Sequence, residues 1–265
     1  MQRSSAVLPT LITVMLIAAM LAHGPIAQWQ DYHRFADHRS WLGVANAADV
    51  LSNLPFALAG LWGLHGLLGK DAETAWGNLG HAAPAYLIFL CALLATAVGS
   101  AWYHCAPDDQ RLVWDRLPIA LACAGLLAAV RAESRAGSAF TALLNALGLC
   151  VLAIASVAWW AYSDDLRPYL LLQALPLLLI PLWQYQASAP LARRLVFGEA
   201  LGCYVLAKGA ELADAQILAL GLRVSGHTLK HLLAALAAAL IVAHLRTRVR
   251  QRHTRLSGLG YPRAA

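Results

Sequence analysis

Charge is scarce in this sequence. Asp and Glu together number 14 and Lys and Arg 20 among 265 residues, so charged side chains make up 13% of the chain, against roughly 25% in typical soluble domains. Hydrophobic residues reach 60%. A globule of this size cannot hide that much apolar surface, and a soluble fold is excluded in favour of one solvated by lipid. Cysteine is also sparse: Cys91, Cys105, Cys123, Cys150 and Cys203. No two stand as C-x-x-C, and most fall inside apolar runs. A disulfide framework and a thiolate metal site are therefore both set aside. Acid is absent from the last stretch. Arg246, Arg248, Arg250, Arg252, Arg255 and Arg263 occur there with no Asp or Glu, and these six equal the whole net charge of +6. Basic residues beside an apolar helix fit a cytoplasmic membrane flank, and a nucleic-acid partner is not expected.

What is present is a series of apolar segments near the ~20 residues that cross a bilayer as a helix. The first runs over Ala6–His23 and has a single basic residue, Arg3, before it. Seven more follow: Asn46–Leu68, Ala82–His104, Leu112–Val130, Ala139–Ala161, Pro168–Gln186, Leu195–Leu212 and Ser225–His244. The expected fold is an all-α polytopic membrane bundle, a seven-helix core plus an extra N-terminal helix, with short loops that make neighbours antiparallel. Three parts are expected: residues 1–27 as a hydrophobic segment (an extra helix or a leader peptide), 28–245 as the seven-helix domain, and 246–265 as a basic tail. With the C-terminus placed in the cytoplasm, twelve Lys and Arg fall on the inner side and six on the outer, in keeping with the bias of inner loops toward positive charge.

Polar groups at depth in a membrane are costly and are candidates for function. Ser100 and His104 stand four apart at the end of the second core segment, on one helix face. His227 and His231 have the same spacing near the start of the seventh, where two imidazoles can reach one metal ion. Asp115 lies in Trp114-Asp115-Arg116-Leu117-Pro118, at the start of the third. The threading brings all of these to the outer end. Three histidines with a fourth position open suit a catalytic zinc. A single histidine at a helix end is ordinarily a hydrogen-bonded structural residue, and it is the coincidence of three elements at one depth that carries weight. A haem needs axial ligands on opposite ring faces, which His227 and His231 cannot both supply, although His104 with one of them can. Ser100 lacks the G-x-S-x-G surroundings of a serine nucleophile. Asn46, Asp49 and Asn53 share a face of the first core segment. Lys208 and Glu211, with Glu199 and Asp214 near, read as an internal ion-pair cluster. Lys230 is expected to face away from the metal, being one residue from His231.

Four motifs together resemble the alkaline ceramidases, members of a superfamily of seven-helix membrane hydrolases that also holds the adiponectin receptors. They are Val50-Leu51-Ser52-Asn53-Leu54, Ser100-Ala101-Trp102-Tyr103-His104, Trp114-Asp115-Arg116-Leu117-Pro118 and Ser225-Gly226-His227-Thr228-Leu229-Lys230-His231, and the resemblance spans about Asp31 to His244. It implies a zinc held by His104, His227 and His231 with Ser100 and Asp115 beside it. It further implies hydrolysis of the amide of ceramide, or of another long-chain N-acyl lipid, to an amine base and a fatty acid. Eukaryotic members carry an acidic calcium-binding cluster closed by a Glu on the first core helix. Here Asn46 stands at that Glu, after Asp31-Tyr32-His33-Arg34-Phe35-Ala36-Asp37-His38, which leaves calcium open. The extra first segment looks bacterial, which places the chain in an inner membrane with its site near the outer leaflet. In that setting Asp115 is the candidate general base and acid, and Ser100 a hydrogen-bond donor to the reacting oxygen. Two competing readings are a receptor with structural zinc and a transporter with Asp49, Lys208, Glu211 and Asp214 as a relay. Oligomeric state is not legible.

Overall fold

The computed structural model describes residues 4–221 and 223–257. Its elements are α1 (Ser4–His23), α2 (Ala47–Leu51), α3 (Leu54–Leu68), α4 (Ala72–Leu79), a 3₁₀ turn (Gly80–Ala82), α5 (Ala83–Cys105), α6 (Asp109–Ser134), α7 (Ala139–Ser163), α8 (Arg167–Gln186), α9 (Leu191–Leu212), α10 (Asp214–Ala219) and α11 (Gly226–Ser257). Among the described residues there is no strand beyond one isolated bridge between Trp41 and Val44. The chain is an all-α polytopic membrane bundle. Among the described residues six spans are long and apolar enough to cross a membrane: Ala6–His23, Ala47–Leu68, Ala72–Cys105, Asp109–Ser134, Ala139–Ser163 and Gly226–Val249. The helices α8 (20 residues) and α9 (22 residues) have the length to join them but are more polar, and they complete a core of seven with α1 outside it.

Local chemistry sets the helix starts. Pro55, Pro84 and Pro168 fall in the first turns of α3, α5 and α8, where a missing N–H costs nothing. The Asp108 carboxylate accepts from Arg111 N at 2.7 Å to begin α6, and the Ser138 hydroxyl accepts from Thr141 N at 3.1 Å to begin α7, each meeting a donor the helix leaves over. The first core segment is not one helix but two. Pro55 has no N–H for the carbonyl four residues back, so α2 stops at Leu51. The side chains of Ser52 and Asn53 then donate to Asp49 O, at 2.9 and 2.8 Å.

Helix α5 packs along α6, and α9 along α11; α3 fills the groove between α5 and α11, while α8 touches α9 only sparsely. Two glycines allow the closest approaches. A Cβ on Gly99 would meet the Trp114 carbonyl of α6, and one on Gly226 the Ala210 carbonyl of α9. At the end of the bundle away from the histidines, buried Glu133 accepts from Arg193 at 3.2 Å and Arg248 at 2.6 Å, tying α6 to α9 and α11. The basic tail expected from residue 246 thus starts differently. Its first residues continue α11, because arginine is a good helix former. The side chains of Arg250, Arg252, Arg255 and Arg263 lie outside the described residues, as does Arg3.

Residues 24–46 form a strap across the opposite end. Ile26 N donates to Asp165 Oδ1 at 3.2 Å, and Leu166 N to Ile26 O at 2.8 Å. Ala36 N donates to Asp214 Oδ2 at 2.8 Å. Arg39 grips Asp37 at 2.6 Å and donates to Arg223 O at 2.6 Å. The strap thereby joins α1 to the loops that precede α8 and α11.

Candidate metal centre

His104 comes from the last turn of α5, and His227 and His231 from the first turns of α11. All three are buried, and their ligand atoms lie within 4.8 Å of one another. The ring centroids form a nearly equilateral triangle with sides of 4.8, 4.9 and 4.8 Å. His104 Nε2 and His227 Nε2 are 3.3 Å apart. Two nitrogens each about 2.0–2.1 Å from one zinc at a tetrahedral angle would be separated by about that much. The residues therefore fit a metal ion, whose identity the donors alone do not fix.

The protein also orients a ligand. Ser52 spends its own proton on Asp49 O, so its oxygen is free to accept from His231 Nδ1, 2.8 Å away. That places the ring proton on Nδ1 and leaves the Nε2 lone pair for a metal, the usual task of a partner behind a histidine ligand. Asn46 Nδ2 donates to His104 O at 2.9 Å, and Thr228 Oγ1 donates to Asp49 Oδ1. Asn46, Asp49 and Asn53 are all buried, and they brace the histidines from the α2–α3 side. From the strap, Phe35 packs on the rings of His104 and His227, at centroid distances of 4.7 and 4.5 Å.

Ser100 and Asp115 are both buried, at 2% and 5% exposure. The serine hydroxyl lies beside the carboxyl and acts on it electrostatically, and the carboxyl's Oδ1 has no hydrogen-bond partner. Both line one cavity of about 180 Å³ with His231. That cavity also reaches Glu211, Lys208 and Lys230 at its polar end. Deeper, its walls are apolar, and Phe89, Leu126, Phe197 and Ile241 stand furthest from the histidines. From His231 to Ile241 is ten residues of α11, about 15 Å at 1.5 Å per residue.

Lys230 departs from the expectation that it faces away. Its Nζ is 3.2 Å from His227 Nε2 and 2.8 Å from Glu211 Oε1. The adjacency to His231 misled, because Lys230 is also three residues from His227, and residues three apart share a helix face. A metal on His227 Nε2 requires that ammonium to draw back onto Glu211. Lys208 pairs with the other Glu211 oxygen at 2.9 Å, as its spacing suggested. Asp214 is a cap rather than a relay member: Oδ1 accepts from His227 N at 2.7 Å while Oδ2 holds the strap.

In the stretch Asp31–His38, Asp37 is engaged by Arg39, whose hydrogen bonds hold its carboxyl below the usual carboxylate range. Arg167 does the same for Asp165, between α7 and α8. His33 bridges Tyr103 OH at 2.9 Å and Asp109 at 3.1 Å, a loop role. Cys105, next to His104, is exposed. Sequence reasoning missed Ser52 and Phe35 as neighbours of the histidines. Ser52 carried a signal, since it stands in the motif Val50-Leu51-Ser52-Asn53-Leu54, but that motif gave it no role beside the histidines; Phe35 had none. No protein-family model matches the chain, and no curated protein matches it either.

Proposed function

We propose that the chain is a zinc-dependent intramembrane amide hydrolase that cleaves ceramide or a similar long-chain N-acyl lipid to an amine base and a fatty acid. The observation that carries this reading is one cavity in which a metal-competent histidine, a buried carboxyl and a buried hydroxyl meet a long apolar shaft. The motifs resembling the alkaline ceramidases support the same reading.

His104, His227 and His231 would hold the ion. Bound there, zinc supplies Lewis-acid polarisation of the amide carbonyl and lowers the pKa of a water to about 7. Asp115 accepts the proton of the attacking water. It then returns that proton to the amide nitrogen as the C–N bond breaks. Ser100, beside that carboxyl, turns its single hydroxyl proton toward the carbonyl oxygen as its charge grows. The apolar shaft takes the acyl chain, and burial of the carboxyl and hydroxyl keeps bulk water from competing for them. A structural zinc usually closes its fourth position with a protein ligand, and among the described residues the histidine cluster offers three. That favours hydrolysis over a purely structural ion in a receptor.

The test is to incubate the purified protein with long-chain ceramide, with and without a chelator, and to extract the lipids. Release of sphingoid base and fatty acid that chelator abolishes and zinc restores is the expected result. No hydrolysis of any long-chain N-acyl lipid by metal-loaded protein moves the weight to the receptor.

A further inference from the structure

Resting on the amidase reading, we infer that Asn53 reads the bond to be broken: its side-chain oxygen accepts the N–H of the substrate amide, so that a secondary amide is taken in preference to the ester of the same acyl chain. Asn53 is buried at 1% exposure and lines the cavity with Ser100, Asp115 and His231. Its amide nitrogen is committed, since Nδ2 donates to Asp49 O at 2.8 Å. The oxygen, on the other arm of the same planar group, has no hydrogen-bond partner. A buried acceptor in that state is costly, and a ligand that brings it a donor is favoured. The other carboxyl and carboxamide groups on the cavity wall each have a task. Both oxygens of Glu211 hold ammonium groups, Lys208 at 2.9 Å and Lys230 at 2.8 Å. Gln173 Oε1 accepts from Tyr204 at 2.8 Å. Asp115 is assigned to the attacking water. A secondary amide brings one acceptor and one donor. Its carbonyl oxygen goes to the metal and to Ser100, which leaves its N–H for Asn53. An ester has no such proton, and its oxygen sets one lone pair against another. The N–H remains on the nitrogen after the C–N bond breaks, so the contact exists before and after cleavage. It is therefore uniform binding, which shows in KM rather than in kcat.

N-palmitoylethanolamine and the palmitate monoester of ethylene glycol form a matched pair, differing only in NH against O at the bond that breaks. Hydrolysis of both is measured on the zinc-loaded parent and on zinc-loaded Asn53→Ala, with the zinc content of each protein measured alongside. Binding is read separately, with and without Asn53→Ala, in an Asp115→Asn background that does not consume the lipids, from the thermal stabilisation each lipid gives in detergent. With Asn53 present the amide should bind on the order of tenfold more tightly than the ester, because the ester leaves a buried acceptor unpaired. Asn53→Ala should raise KM for the amide by about that factor with much less change in kcat, and should bring the binding of the two lipids close together. The preference shown with Asn53 present needs no Asn53 variant, so it decides the matter if Asn53→Ala does not fold. If neither lipid is hydrolysed, the amidase reading fails and the binding comparison alone decides the inference. Equal binding of amide and ester with Asn53 present overturns it, as does an Asn53→Ala variant that loses on both lipids alike.

Discussion

Ser52 makes no contact with substrate in the proposed mechanism, yet it decides which nitrogen of His231 is available. Its oxygen accepts from Nδ1 at 2.8 Å, and partners of this kind are typically worth about 10–100-fold in metal affinity. Ser52→Ala should weaken zinc binding by that factor, read by competition with a chromogenic chelator. His227→Ala and His231→Ala remove ligands outright and should take the metal content from about one ion per chain to nearly none. Full occupancy in the double alanine variant would remove the metal assignment. Asp115→Asn should keep its zinc and lose roughly 10²–10⁴-fold in amide hydrolysis, the range for a lost general acid–base group. Ser100→Ala should also keep zinc and retain measurable turnover, with a loss of up to ~10²–10³-fold. An acyl group trapped covalently on Ser100 by a serine-reactive lipid would replace water as the nucleophile.

The elements explain why these residues meet. Asp214 is the joint between three of them, since its carboxylate accepts from the first turn of α11 and from the strap. Two charge-assisted bonds are lost in Asp214→Ala, which should lower stability by about 2–4 kcal/mol and loosen the strap, visible as a lower melting temperature in detergent. Acid should act on the strap too. The folded Asp37 and Asp165 titrate below their ordinary values because Arg39 and Arg167 hold them ionised. Each contributes stability that is present above about pH 4, its unfolded pKa, and is lost as pH falls through the lowered value. Limited proteolysis within residues 24–46 should rise below about pH 4 and be unchanged from pH 5 to 8. The element boundaries themselves were mostly readable. The segments Ala139–Ala161 and Pro168–Gln186 match α7 (Ala139–Ser163) and α8 (Arg167–Gln186), because apolar runs of that length have one solution in lipid. The α2–α3 break was not seen, since hydrophobicity runs straight through Ser52 and Asn53 and only Pro55 marks it. The short α4 and α10 escaped because both fall outside the apolar segments read from the sequence, although α4 opens the Ala72–Cys105 span.

At the scale of the whole molecule, the meeting of His104, His227 and His231 followed from helix spacing and threading alone. Lys230 did not, because a helical residue has two sets of neighbours and only one was weighed. Phe35 could not be read at all: its contact with the histidines depends on where a 23-residue strap crosses the bundle, which no local pattern encodes. Orientation is open to direct measurement. With six basic residues expected outside and twelve inside, as the bias of inner loops toward positive charge requires, an Asp109→Cys variant lacking the other cysteines should react with an impermeant maleimide in intact cells. Labelling only after lysis would invert the molecule. The shaft beneath the histidines has a further consequence. Its walls come from packed helices and its far end is stopped by Phe89, Phe197 and Ile241, all buried. On the proposed amidase reading such a channel would work as a ruler: a chain that fits would bring its amide to the reacting groups, and one that is too long would hold the amide short of them. Ile241→Ala should therefore lengthen the best-used acyl chain while lowering turnover of shorter ones, so that selectivity for length is set about 15 Å from the chemistry it governs.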